Sequence, residues 1–230
     1  MTAEPLPTPE PPSDCPLCPR LAAFRAANRA AYPDFHNAPV ASFGPADAEL
    51  LIVGLAPGLK GANRTGRPFT GDYAGDLLYR TLLDCGLAAG SYDRRPDDDL
   101  TLVNCRVTNA VRCVPPENKP TPAEARTCRR FLEGEIRGLR RLRVILALGR
   151  IAHDAVVAAA GGRASAFRFA HGALHALPDG ARLVDSYHCS RYNTQTGVLT
   201  AEMFRAAVAS AQGQLSSGST ARRSRGPGAR

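Results

Sequence analysis

The chain has 230 residues, 44% of them hydrophobic, which is enough for a real α/β core, and no apolar run approaches the roughly 20 residues of a membrane-spanning helix. Its formal charge is +8, which favours a polyanionic partner; of the 29 cationic residues only Lys60 and Lys119 are not arginine, a usage that reads as genomic base composition. The first residues lack the basic and apolar segments of a secretory leader, so a reducing cytosol is expected, where the seven cysteines serve metal binding or packing rather than disulfides.

Residues 1–14 are proline-rich and are expected to be disordered. Cys15 and Cys18 follow as a C-x-x-C pair. The run ELLIVG (49–54) predicts a strand buried on both faces, and a glycine-rich segment (54–75) comes after it. In residues 75–87, Leu77, Leu78, Leu82 and Leu83 share one helical stripe. LTLVNCRV (100–107) predicts a second strand, and the next helix starts with Thr121 as N-cap and Pro122 at its first position. RVILALG (143–149) predicts a third strand, residues 150–162 a helix ending on glycines, and RLVDSY (182–187) a fourth strand. The tail, 213–230, is rich in Ser, Gly and Arg and is expected to stay outside any core. Strand–helix alternation predicts a single domain over residues 15–212, a three-layer α/β/α sandwich around a four-stranded parallel sheet.

In such a sheet, ligands bind beyond the carboxyl ends of the strands. The glycine-rich segment after the first strand lets a ligand approach the backbone, yet it fits neither the P-loop nor the dinucleotide pattern. It holds Phe69 and Asp72. Asn109 follows the second strand and offers a donor and an acceptor to an amide or base edge. The third strand leads into a helix whose His153 reads as a helix residue rather than a catalyst. His188, Ser190, Arg191, Tyr192 and Asn193 follow the fourth. His188 thus shares a rim with Phe69, Asp72 and Asn109.

Cys113 and Cys128 complete a candidate four-thiol clamp with Cys15 and Cys18, while Cys85, Cys105 and Cys189 read as small apolar residues. Such a set holds either a structural zinc or a [4Fe–4S] cluster, and spacing alone favours zinc. In both cases the clamp ties the N-terminal segment to the loop after the second strand.

Three stretches, GLAPGLKGANRTGRPFTGD, TNAVRCVPPENKPTP and HCSRYNTQTG, together with the cysteine spacing, resemble family 5 uracil-DNA glycosylases over about Cys15 to Phe204. A family 4 enzyme would carry an acidic residue at Leu55. The resemblance implies a [4Fe–4S] cluster on the four cysteines, a monofunctional glycosylase that flips out uracil and other deaminated bases such as hypoxanthine from double-stranded DNA, and a start to base excision repair. It also implies roles. Phe69 resembles the aromatic that stacks on the extruded base, Asn109 the amide that reads the uracil edge, and His188 the histidine that bonds the uracil carbonyl. Ala56 stands where family 1 enzymes carry a water-activating Asp, and Asp72 is the implied substitute. Gly54, Ala56, Ser190, Arg191 and Asn193 complete the expected substrate-binding set. The family usually reads His-Pro-Ser where this chain has His188-Cys189-Ser190, a departure that predicts a looser turn behind the histidine. The chain is expected to be monomeric. The alternative reading is a non-catalytic iron–sulfur protein of the same fold that only binds nucleic acid.

Overall fold

The computed structural model describes residues 10–217. Along the chain it forms α1 (Pro19–Ala31), β1 (Leu50–Gly54), α2 (Ala62–Thr65), α3 (Tyr73–Asp84), β2 (Ala88–Ala89), β3 (Thr101–Leu102) and β4 (Cys105–Asn109). Then come α4 (Pro122–Gly138), β5 (Val144–Leu148), α5 (Arg150–Ala159), β6 (Leu174–Ala176), β7 (Arg182–Ser186), α6 (Arg191–Gln195) and α7 (Ala201–Ser217).

Every position of β1 is buried, as its unbroken aliphatic sequence requires of a strand covered on both faces. Its side chains alternate between two cores. Leu50 and Ile52 pack with Leu78 and Leu82 of α3 and Phe204 and Val208 of α7. Leu51 and Val53 pack with Leu132 and Ile136 of α4 and Ala152 and Val156 of α5. β1 pairs in parallel with β4 and β5, and β5 with β7, giving the expected α/β/α sandwich on four parallel strands. A third, smaller cluster of Leu21, Val111, Cys113 and Cys128 seats α1 against the loop after β4.

Several boundaries differ from the sequence reading. β6 adds an antiparallel edge strand beside β7, so the sheet has five strands in the order β4-β1-β5-β7-β6. The expected strand 100–107 is two strands. Asn104, at φ 52, breaks the run, its side chain pairs with Glu49, and β3 turns away to form a small ribbon with β2. At the N-terminal side, Glu10 pairs with Arg112 at 3.1 Å and Arg106 at 3.6 Å, so the leader is anchored from residue 10 onward rather than disordered to residue 14. At the other end α7 continues through Ser217, past the expected boundary at 212. The rest of both expected terminal segments, 1–9 and 218–230, lies outside the described residues. No helix among the described residues is long and apolar enough to cross a membrane.

Candidate active site

Parallel strands deliver their carboxyl ends to one edge of the sheet, and the chemistry collects there. Gly54, the last residue of β1, lies in register with Asn109, the last of β4. A Cβ at Gly54 would collide with the Phe69 ring and sit 2.5 Å from Asn109 Oδ1, so bare backbone is what lets ring and amide meet. The Phe69 ring also stacks on His188, just beyond β7, with ring centroids 6.0 Å apart and planes 25° from parallel.

Phe69 itself is strained. Its φ of 52 is in the left-handed region, which costs a non-glycine residue about 1–3 kcal/mol. The surroundings hold it there. The Tyr92 hydroxyl donates to the Phe69 carbonyl (3.1 Å) and accepts from the Gly71 N–H (3.2 Å). Gly75 leaves space for that same carbonyl, where any Cβ would collide with it. Two residues upstream, Arg67 grips both oxygens of buried Asp98 at 2.6 and 2.8 Å and bonds Thr70 Oγ1 at 2.8 Å. Its guanidinium lies 5.0, 5.7 and 5.8 Å from the ring centroids of Phe43, Tyr79 and Tyr92. Burial works to raise the Asp98 pKa, but the bonds from Arg67 and from the Asp93 backbone outweigh it and hold the carboxyl below the usual range.

Beside this group opens a cleft of about 640 Å³ whose walls include Ala56, Lys60, Asp72, Asn118, His188 and Arg191; of the four residues expected on one rim, Asp72 and His188 line it, while Phe69 and Asn109 are buried behind His188. Asp72 is the N-cap of α3: Oδ1 accepts from the Gly75 N–H at 3.2 Å, and the other oxygen packs against the backbone of Gly58 and Gly61. Burial raises its pKa above 3.8, against the pull of the Gly75 and Ala74 N–H groups. Burial acts oppositely on His188, pushing the imidazolium down to about 4, so the ring is neutral at pH 7.

The turn that carries His188 is well fixed despite its missing proline. Asn193 Nδ2 donates to the His188 carbonyl at 2.8 Å, and the fully buried Cys189 Sγ lies 3.5 Å from the Ala74 carbonyl in the first turn of α3. The cysteine thereby links the His188 turn to the helix that Asp72 caps, so the expected loosening is absent. Ser190 caps α6 by accepting from the Asn193 N–H at 3.3 Å, Arg191 lies 5.5 Å from the Tyr73 ring centroid, and Tyr192 is 73% exposed.

Gly54, Phe69, Asn109 and His188 therefore gather in one contact group, and Ala56, Asp72, His188, Ser190 and Arg191 line the cleft before it. Asn193, expected on the substrate, donates an amide N–H to the His188 carbonyl and thereby supports the turn. The sequence reading passed over Lys60 and Asn118 in the cleft wall and the Arg67–Asp98 prop behind it. Lys60 did carry a signal, being one of two lysines in an arginine-rich chain. His153 is a buried helix residue. Its Nδ1 lies 2.8 Å from Asp185 and its Nε2 3.0 Å from the Phe167 carbonyl, and Asp185 also receives His175 at 3.1 Å.

The four expected clamp cysteines line one small cavity with Leu21, Arg25 and Phe131. Among the described residues no three of their sulfurs lie mutually within 4.8 Å. A single tetrahedral zinc, with Zn–S near 2.3 Å, would draw sulfurs to within about 3.8 Å of one another. The four thiols converge on this cavity without being drawn together as tightly as around a single ion. Arg25 Nη1 approaches Cys113 Sγ at 3.7 Å while Nη2 donates to the Cys15 carbonyl at 3.1 Å, and the Arg112 N–H donates to Cys128 Sγ at 3.3 Å. Burial pushes the Cys113 thiol up to about 12 and Cys128 up to about 11, so holding them as thiolates requires a cationic metal group.

Residues 41–212 match the family model described as the uracil DNA glycosylase superfamily. A protein named type-5 uracil-DNA glycosylase from Thermus thermophilus is 50% identical over 195 residues, covering 83% of this chain and 89% of its own length. The type-5 uracil-DNA glycosylase of Mycobacterium tuberculosis is 42% identical over 199 residues (83% of this chain, 74% of that protein). The one from Pyrobaculum aerophilum is 37% identical over 206 residues (86% and 89%).

Proposed function

Since the chain belongs to the uracil DNA glycosylase superfamily and is an enzyme of that kind, we propose that it hydrolyses the N-glycosidic bond of uracil, and of hypoxanthine, in double-stranded DNA. It works as a cytosolic monomer and opens base excision repair. The observation that carries this reading is the meeting of an ionisable carboxylate and a neutral imidazole, Asp72 and His188, in the wall of one cleft, with the Phe69 ring stacked behind His188.

Bond cleavage leaves a cation-like sugar and an anionic base, so the site must favour opposite charges a few ångströms apart. The target atom is unreachable inside a duplex, and flipping the nucleotide out costs a few kcal/mol. Stacking on Phe69 returns roughly 1–3 kcal/mol per base, and the Asn109 amide reads the base edge. The neutral His188 donates one N–H to the base carbonyl as negative charge gathers there. A neutral donor serves this better than an imidazolium, which would surrender its proton to the leaving base. Asp72, with one oxygen fixed by the helix cap, presents the other to the sugar, where a carboxylate stabilises the cation and takes a proton from attacking water. Ala56 offers no competing carboxylate in the cleft wall. Lys60 and Arg191 supply positive charge for the flanking phosphates.

Cys15, Cys18, Cys113 and Cys128 would hold the [4Fe–4S] cluster, whose irons keep the thiolates ionised and cross-link α1 to α4. Its place is structural, since the chemistry uses only the cleft.

The test is incubation of the purified protein with duplexes containing one uracil or one hypoxanthine, followed by hot alkali. Strand breaks at the lesion are the expected result. Retained duplex binding without any breaks would reduce the protein to a nucleic-acid-binding fold. Iron and acid-labile sulfide in a near four-to-four ratio, with no stoichiometric zinc, would mark the cluster.

A further inference from the structure

At the end of the sheet opposite the cleft lies a second cavity, of about 620 Å³. It sits under the amino ends of β5 and β7, where the Arg182 N–H donates to the Arg143 carbonyl at 2.8 Å. Its apolar lining comes from Leu142, which is partly exposed, and from the outer edges of the buried core residues Ile136, Leu139 and Ala181. Its rim carries four guanidiniums, those of Arg137, Arg140, Arg143 and Arg182, against a single acid, Asp179. None of the four forms a salt bridge among the described residues, whereas neighbouring Arg141, outside the pocket, is paired with Asp47 and Glu49. α4 ends here, with Leu139 as its C-cap, so the nearby helix terminus offers carbonyl oxygens, and an anion would be held by the guanidiniums, with the Gln214 amide beside them.

We infer that this pocket docks an acidic segment of a partner protein that carries an apolar anchor side chain. Carboxylates on the segment pair with the arginine rim, and the anchor fills the floor. Both halves of the site are needed for that assignment. A duplex phosphate surface would use the rim but has nothing to place on an apolar floor inside a concavity, and the DNA-facing cleft is at the other pole. The chain's own last residues, 218–230, carry four arginines and no acid, so they match the rim in sign and cannot be the occupant. The site goes beyond the glycosylase reading and borrows from it only the placing of DNA at the other pole.

The probe is a fluorescein-labelled peptide of alternating Asp and Leu, titrated with the full-length protein and followed by anisotropy. An Asp/Ser peptide removes the apolar anchor, a Lys/Leu peptide reverses the charge, and a lesion-free duplex represents the rival ligand. The Asp/Leu peptide should bind at least ~10-fold more tightly than either control. Arg140→Glu with Arg182→Glu should weaken it by a further ~10-fold or more while uracil excision stays unchanged. Should that double reversal misfold, Arg140→Gln with Arg182→Gln gives the same loss in smaller measure. The proposal is overturned by no saturable binding up to ~1 mM peptide, by equal affinity for the Asp/Leu and Asp/Ser peptides, or by no effect of the rim substitutions. If the duplex alone loses affinity on charge reversal, the pocket is a nucleic-acid contact and the protein-docking assignment fails.

Discussion

The cleft and the cysteine clamp both join segments distant in sequence, yet they solve opposite problems. The cleft must leave polar groups poised for something that is not yet there. Asp72 is desolvated enough to hold its proton above the usual value, His188 sits neutral, and Phe69 is held in a backbone conformation it would not choose. The clamp must leave nothing poised. Three of its four thiols are buried, beside a buried arginine, and one of those three already receives a backbone N–H. A site built for turnover stores strain and props it from behind; a site built for holding closes on itself.

Cys113→Ser should give the largest change. It removes a clamp ligand and costs several kcal/mol of the ~5–15 kcal/mol that stabilises a domain. Iron content and melting temperature should fall together, while whatever protein remains folded keeps its kcat for uracil. A normal melt with lost turnover would instead move the clamp into the chemistry.

Asp72→Asn should do the reverse, lowering kcat by about 10²–10⁴-fold in a single-turnover excision assay. Asn caps a helix as well as Asp does, so α3 should persist. The sign of the pH effect follows from burial. Because the folded pKa of Asp72 lies above 3.8, its contribution to stability is complete below 3.8 and is lost as pH rises through the folded value. At neutral pH the carboxylate therefore weakens the fold, and Asp72→Asn should melt slightly higher than the parent. The parent's excision rate should rise with pH along a limb set above 3.8, and the substitution should abolish that limb.

How much of this the sequence revealed depended on burial. The four parallel strands were visible because a strand covered on both faces must be apolar throughout, as LLIVG and VILAL are. β6 was hidden by the same rule: Leu174–Ala176 is a short, half-exposed edge that needs no apolar run. Asn104 could not be seen to break its strand, since its role depends on Glu49, a residue 55 positions away. In the site, residues directly following strands were legible because parallel topology fixes where they go. Arg67 and Asp98, 31 positions apart and among the least exposed charges in the chain, gave no local sign that they prop Phe69.

That prop supplies the next test. Arg67→Met strands the Asp98 carboxylate in a buried place and should cost about 3–5 kcal/mol by chemical denaturation. It should also reduce excision in the fraction that remains folded, because loop 67–71 loses its anchor. If excision per folded molecule were unchanged, Phe69 would not need its prop. The mildest effect belongs to Cys189→Ala, which removes a weak bond to the Ala74 carbonyl and should cost about 1 kcal/mol or less, with kcat down a few-fold. A variant as fast as the parent would show that Asn193 alone fixes the His188 turn.

The alternation along β1 has a consequence for how such chains can change over time. Sliding β1 by one position would send Leu50 and Ile52 into the compartment now filled by Leu51 and Val53, and would move Gly54 out of line with Asn109. A single inserted residue within these five would thus exchange the contents of two hydrophobic layers and dismantle the corner where Gly54, Phe69 and Asn109 meet in one step. Length variation among descendants of this chain should accumulate in the loops at either end of the sheet and leave this stretch untouched.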